Sequence, residues 1–229
     1  MHYSQQVATI SEISKDLFLH YEDIKSRNGW CNEDVRIAVF GQLVNELTPI
    51  LTMMATYSDC ISNLEWLCRN AKSDMENFGI MLTESDKIFK KIFFLNSWAV
   101  VENAIRRISS HIGREPVIGS ICSVLENLLS RKKLNHDNKN DLLHLLRLIT
   151  TTRNTSHNGF YFYPDNIKER KDGVVYRKYK NKKYKFEVGA EVDFFDWDFV
   201  IFCLQEMFSL MDQIIEHPKV KEFDFIPYN

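Results

Sequence analysis

From Asn32 to about Met81 the apolar residues recur every three or four positions, with one proline, Pro49, inside the run. A helical period held over so long a stretch leaves few folds other than a bundle, because a strand would alternate every second residue. The same period links Val7, Ile10, Ile13, Leu17 and Ile24 within residues 3–27, ending near Asn28 and Gly29. With only 8 glycines and 5 prolines in 229 residues, a turn-dense sandwich or barrel is disfavoured. The expected class is therefore all-α.

Helix boundaries follow from capping chemistry. Asn32, Glu33 and Asp34 read as a helix start, since short polar and acidic side chains suit exposed N–H groups. Thr83 to Asp86 reads as a second start, opening a helix to about Ile112 before Gly113 and Pro116 break the chain. A shorter helix is expected over 117–132, then one from about 139 through Asn158, closed by Gly159. Phe160 to Tyr163 favours a strand. Val174–Tyr176 and Tyr184–Phe186, flanking Lys180–Lys182, read as a β-hairpin. A last helix over 196–216 carries Val200, Cys203, Leu204, Met207, Met211 and Ile214 on one stripe, and Pro218 ends it. The expected organisation is an N-terminal helical extension over 1–31 and a bundle over 32–229, with a small β-hairpin insertion at about 160–190 before the last helix.

Compartment signals are plain. The 5 cysteines are scattered, with no Cys-x-x-Cys pair, so neither a zinc ribbon nor a disulfide framework is indicated. The N-terminus lacks a basic region followed by an apolar run, and no uncharged apolar stretch approaches the ~18 residues of a membrane span. A soluble cytoplasmic protein is expected, with no membrane partner. No metal or cofactor is expected either. The histidines share no ligand spacing, and no glycine-rich phosphate loop or Gly-x-Ser-x-Gly elbow exists. Phe18, Phe40, Trp66, Phe93, Phe94 and Phe208 are expected in the core.

The chemistry concentrates at the end of the helix before Gly159. Leu142, Leu146 and Ile149 lie on one stripe, and steps of four residues along it reach Arg153 and then His157. A charge on a buried line costs several kcal/mol unless a partner or a wet cleft receives it. Together the pair offers a fixed positive fork beside a group that moves protons near neutral pH. That combination suits a phosphodiester attacked by its own 2′-hydroxyl. Arg153 would stabilise charge growing on the phosphorus oxygens, and His157 would take or give a proton. The same residues also read as ordinary helix-ending chemistry, His⁺ complementing the dipole and Gly159 turning left-handed.

The segment Arg153-Asn-Thr-Ser-His157-Asn-Gly159 resembles the HEPN superfamily, whose signature is an Arg, a polar residue, a few more residues and a His. The resemblance extends over roughly 32–217: the long helix pair before the motif, the β excursion after it and the final amphipathic helix. It implies a dimerising helical bundle and a metal-independent endoribonuclease of toxin–antitoxin, phage-defence or RNA-processing type. Arg153 and His157 would be catalytic and Asn154 the supporting polar residue. A homodimer and an antitoxin or defence-system partner would follow. Three residues separate Arg153 from His157, fewer than in the common pattern, and Gly159 stands where one subgroup carries a modified Tyr. Glu102, at the edge of the stripe Trp98, Val101, Ile105, Ile108 and Ile112, is a further candidate. It would either hold the Arg153 guanidinium across the bundle or bond Arg106 four residues on.

Residues 168–185 hold nine basic and two acidic side chains, a charge of +7 in a chain of net -2. Tyrosines 176, 179 and 184 are interleaved. This pattern suits an arm that grips RNA by phosphate contacts and base stacking, with Arg177, Lys178, Tyr179, Lys180, Lys182 and Lys183 as its contacts. A solvated hairpin whose lysines protect a sheet edge is the bland alternative. For the whole chain, the alternative to a nuclease is a non-catalytic dimeric helical module that binds RNA or protein.

Overall fold

In a computed structural model describing residues 4–70, 75–114 and 116–228, the first helix, α1 (Ser4–Asn28), lies against α2 (Val35–Ser62). Helix α3 (Leu64–Asn70) follows. The long α4 (Met75–Gly113) packs on α2 and meets α5 (Ile121–Leu128). Helix α6 (Lys139–Ser156) leads through the short α7 (Ile167–Asp172) to strands β1 (Val174–Tyr179) and β2 (Lys182–Glu187). Helix α8 (Trp197–Ile215) returns against α4, and α9 (Pro218–Lys221) precedes the C-terminal tail. The described residues are thus mainly helical, with one small antiparallel hairpin.

The N-terminal segment is part of the bundle. Ile10, Leu17 and Ile24, spaced at seven, are buried in the same core cluster as the residues of α2, α4, α6 and α8. His20 adds a hydrogen bond of 2.8 Å from Nε2 to Asp212 of α8. Phe18, expected in the core, faces out at 49% exposure. Helix α2 is long and apolar enough to cross a membrane by length and composition. Val39, Phe40, Leu43 and Leu47 are instead fully buried against their neighbours here.

A buried ion pair fixes where α2 starts. Asp34 caps the helix, its Oδ1 accepting from the backbone N–H of Arg36 at 2.9 Å. The Arg36 side chain is itself 0% exposed. Its Nε–H donates to Asp34 Oδ1 (2.9 Å) and Nη2 to Asp34 Oδ2 (2.5 Å). Nη1 donates to the carbonyls of Val220 (2.9 Å) and Phe223 (2.8 Å), and Nη2 also to that of Asp224 (3.2 Å). Every N–H of the guanidinium therefore has an acceptor. Trp30 covers its face at 3.8 Å. Asp34 Oδ2 also accepts from the N–H of Ile226, and the N–H of Val35 donates to the Ile226 carbonyl, so the tail is bound to the start of α2 both through the ion pair and by backbone bonds.

Several sequence expectations change. The helical run does not reach Met81 unbroken. Asn63 leaves the helical region, and its side chain accepts from Trp66 N to open α3. Thr83 to Asp86 caps nothing and lies inside α4. Thr83 bonds back to Gly79, while Asp86 is buried, accepting 2.8 Å bonds from Trp197 Nε1 of α8 and from Lys90. A carboxylate that resembled a cap serves instead as a tertiary partner. The helix expected over 117–132 contracts to α5, capped by Ser120. Phe160 to Tyr163 forms two isolated bridges, Tyr161 with Glu191 and Phe162 with Val188, rather than a strand. Pro218 follows the end of α8 and also occupies the first turn of α9, where its missing N–H costs nothing.

Replacing Arg36 by Met should lower the unfolding free energy by about 3–5 kcal/mol in urea titrations, because Asp34 and three carbonyls lose a buried donor. A loss under about 1 kcal/mol would show that the pair contributes little.

Candidate active site

Helix α6 carries the candidate residues, and burial along its length explains their setting. Leu142, Leu143, Leu145, Leu146, Leu148 and Ile149 are all buried, so the first turns are wrapped by α4, α5, α8 and β1. One face stays covered to the end of the helix, at Thr152, Thr155 and Ser156, while another line of it turns toward solvent. On the line of Leu142, Leu146 and Ile149, Arg153 is half-buried and His157 is exposed. The last turns contain Thr150, Thr151, Thr152, Thr155 and Ser156, whose hydroxyls donate to carbonyls three or four residues back. This lets Thr152, Thr155 and Ser156 be buried without unpaired hydroxyls.

His157 is the residue at which α6 ends. Gly159 is left-handed at φ +64°, as expected, and Phe160 follows at φ +69°. Backbone strain at a bulky residue needs support. Phe160 has it from stacking on Phe195 at 4.2 Å and from the N–H of Val192, which donates to its carbonyl. The Arg–His pair therefore sits on a stiff helix end, anchored immediately behind.

Around the pair, Arg153 Nη1 donates to Asn154 Oδ1 at 3.3 Å. Glu102 does not hold Arg153. Its Oε1 accepts from Arg106 at 2.8 and 3.0 Å, and the Arg106 guanidinium also reaches the Gly119 carbonyl. The local i,i+4 partner satisfies the carboxylate first, so Glu102 leaves the candidate site. Beside Asn154 lies a small cleft of about 160 Å³ lined by Thr151, Thr155, Tyr163, Asp165, Glu169 and Arg177 among others.

The hairpin divides its basic and aromatic residues between two faces. Val175, Tyr179, Tyr184 and Phe186 point inward and are buried with Phe194 and Phe199. Tyr179 is therefore a support and not a contact. Its hydroxyl donates to Glu206 at 2.5 Å, and burial together with that carboxylate pushes the phenol well above its usual range. Arg177 also turns inward, donating to Thr151 Oγ1 (2.9 Å) and to Glu169 (2.8 Å). It thereby ties the hairpin to α6. Lys180 is paired with Glu206. Lys182 lies over the Tyr184 ring at the mouth of a second cleft of about 480 Å³ beside the hairpin turn.

The outward face is different. Register places Lys178 directly opposite Lys183, and Tyr176 opposite Lys185. Like charges facing across an antiparallel pair destabilise it. Neither Lys178 nor Lys183 has an acidic partner among the described residues, and Lys183 lies 6.0 Å from the centre of the exposed Tyr176 ring. Of the expected RNA contacts, Lys178 and Lys183 are thus presented to solvent with Tyr176, while Arg177 and Tyr179 are structural. The alternation of the strands held that distinction, since residues of one parity share a face. Which parity faced inward depended on the α8 aromatics.

Comparison with models of protein families, with curated proteins and with solved structures finds no match for this chain.

The two faces make opposite predictions. Tyr179→Phe should cost about 1–2 kcal/mol of stability by leaving Glu206 short of a donor, measured by urea unfolding. Tyr176→Phe should leave stability unchanged. Equal losses in the two variants would contradict the assignment of faces.

Proposed function

We propose that the protein is a HEPN-type endoribonuclease that cuts RNA through attack of a 2′-hydroxyl, with Arg153 and His157 at a cleft between two copies of the chain. The observation that carries this reading is the position of the pair. An arginine and a histidine continue the buried line of Leu142, Leu146 and Ile149 into solvent, on a helix end whose other face is buried and which is held by the Phe160–Phe195 stack. A second α6 end across a two-fold axis would complete the cover and bring two such pairs together. The pair does not form a closed site within one chain, because His157 is exposed.

In the step proposed, His157 in its neutral form takes the proton of the 2′-hydroxyl as that oxygen bonds to phosphorus. The bond from phosphorus to the 5′-oxygen breaks. The leaving oxygen receives a proton from the imidazolium of the facing copy or from water. Arg153 holds the non-bridging oxygens as their charge grows. The products are a 2′,3′-cyclic phosphate and a 5′-hydroxyl. Asn154, bonded to Arg153, is a positioning residue. The outward face of the hairpin, two sequence elements after the motif, supplies phosphate contacts from Lys178 and Lys183 and a stacking surface on Tyr176. On this reading the protein acts in the cytoplasm, in toxin–antitoxin or phage defence.

Purified protein should cut total RNA in the presence of EDTA. Arg153→Ala and His157→Ala should each reduce the rate by at least about 100-fold. Cleavage that EDTA abolishes, or that survives both substitutions, would contradict the mechanism. RNA that is bound but never cut would identify a non-catalytic dimeric module instead. Independently, the double variant Lys178→Ala/Lys183→Ala should flatten the logarithmic salt dependence of single-stranded RNA binding by about 1.4. An unchanged slope would remove the hairpin face from the interface.

A further inference from the structure

The cleft beside Asn154 has a composition that phosphate would avoid and a nucleobase would fit. Its volume is about 160 Å³, and it opens to solvent between Tyr163, Asp165 and Asn154. A cavity of about 150 Å³ accepts one benzene-sized ring, so this cleft admits the edge of a single base and excludes a folded helix. Its ionisable lining is Asp165, Glu169 and Arg177, one cation against two carboxylates. A phosphate would meet net repulsion there. A neutral ring bearing both donors and acceptors would not.

The hydrogen-bonding capacity left in the cleft is specific. Glu169 Oε1 accepts from Arg177 Nη2 at 2.8 Å, and Glu169 Oε2 has no hydrogen-bond partner among the described residues. Arg177 uses Nε on Thr151 and Nη2 on Glu169, which leaves the N–H groups of Nη1. Asn154 Oδ1 accepts from Arg153 Nη1, which leaves the Nδ2 donors of Asn154. Phe162 and Pro164 supply apolar walls, and Tyr163, 56% exposed, stands at the rim as a stacking surface. A carboxylate opposite a base edge selects adjacent N–H donors. Guanine presents two of them, at N1 and N2, with acceptors at O6 and N7 for an arginine or an amide. Adenine presents an acceptor at N1, which a carboxylate repels.

We infer that this cleft binds a guanine of the RNA substrate, with the free Oε2 of Glu169 accepting from its adjacent N1–H and N2–H groups and Arg177 and Asn154 facing its acceptor edge. The inference rests on the ribonuclease reading for its substrate class. It adds a specificity-determining site one residue from the proposed phosphate-binding arginine. Arg177 gains a second role from it. The bond that ties the hairpin to α6 also orients the carboxylate that reads the base.

The test uses the full chain and uncleavable probes, fluorescent 2′-O-methyl oligouridine strands with one central guanine, adenine or cytosine, read by anisotropy. The guanine strand should bind about tenfold more tightly than the other two. Glu169→Gln keeps an oxygen for Arg177 and should reduce the preference to less than twofold. Glu126→Gln, an exposed carboxylate of α5 outside the cleft, should leave the preference unchanged. Thermal melting of each variant separates loss of recognition from loss of fold. Equal binding of the three strands by the wild type overturns the inference, as does an intact preference in a folded Glu169→Gln variant. Guanine preference in a protein that cuts no RNA would sustain the cleft and reject the nuclease reading. Cleavage without base preference would do the reverse.

Discussion

One buried guanidinium joins the start of α2 to the C-terminal segment. Arg36 gives a donor to each of five acceptor contacts, two on Asp34 and three on carbonyls of the C-terminal segment, with Trp30 closed over its face. An ionised group at zero exposure is tolerable only when fully bonded, and here the bonding is complete. The consequence is architectural. Helix α2 begins where Asp34 caps it, the tail after α9 is bound beside that cap, and α8 packs against α4 and α9. Helix α6 packs against α4, α5, α8 and β1, one face buried to its last turn and the line of Arg153 and His157 turned toward solvent.

The candidate site lies on that solvent-facing line. A helix that stays within its bundle buries a stripe of apolar residues. Where one line of it leaves that cover, the line must carry residues suited to a wetter place. Arg153 and His157 occupy those positions, and the turns between carry hydroxyls satisfied within the helix. Rigidity comes from behind, where two consecutive left-handed residues are held by an aromatic stack and a backbone bond. The hairpin is positioned from the same helix end by Arg177, so the base cleft, the arginine–histidine pair and the basic face share one support.

How much of this could be read from the residues alone depended on the range of the interactions. The stripe of α6, the left-handed Gly159 and the pairing of the hairpin were legible because periods of 3.6 and 2 and turn chemistry act over a few residues. The local alternative for Glu102, a bond to Arg106, also came from spacing and is the one found. What spacing hid were partners far along the chain. Asp86 resembled a helix cap, yet its partner Trp197 lies 111 residues away. Tyr179 resembled a stacking surface, yet Glu206 and the α8 aromatics bury it. Asp34 lies two residues from Arg36, but its three carbonyl acceptors, at Val220, Phe223 and Asp224, left no mark near it in the chain. The cleft at Asn154 depended on α6, α7 and β1 meeting.

The account turns on a two-fold arrangement of α6 ends, and a crystal structure of the assembled protein in solution-verified stoichiometry tests it most directly. It should show a dimer in which both His157 imidazoles and both Arg153 guanidiniums line one cleft. A monomer, or a dimer built through another face with His157 left in open solvent, would contradict the account.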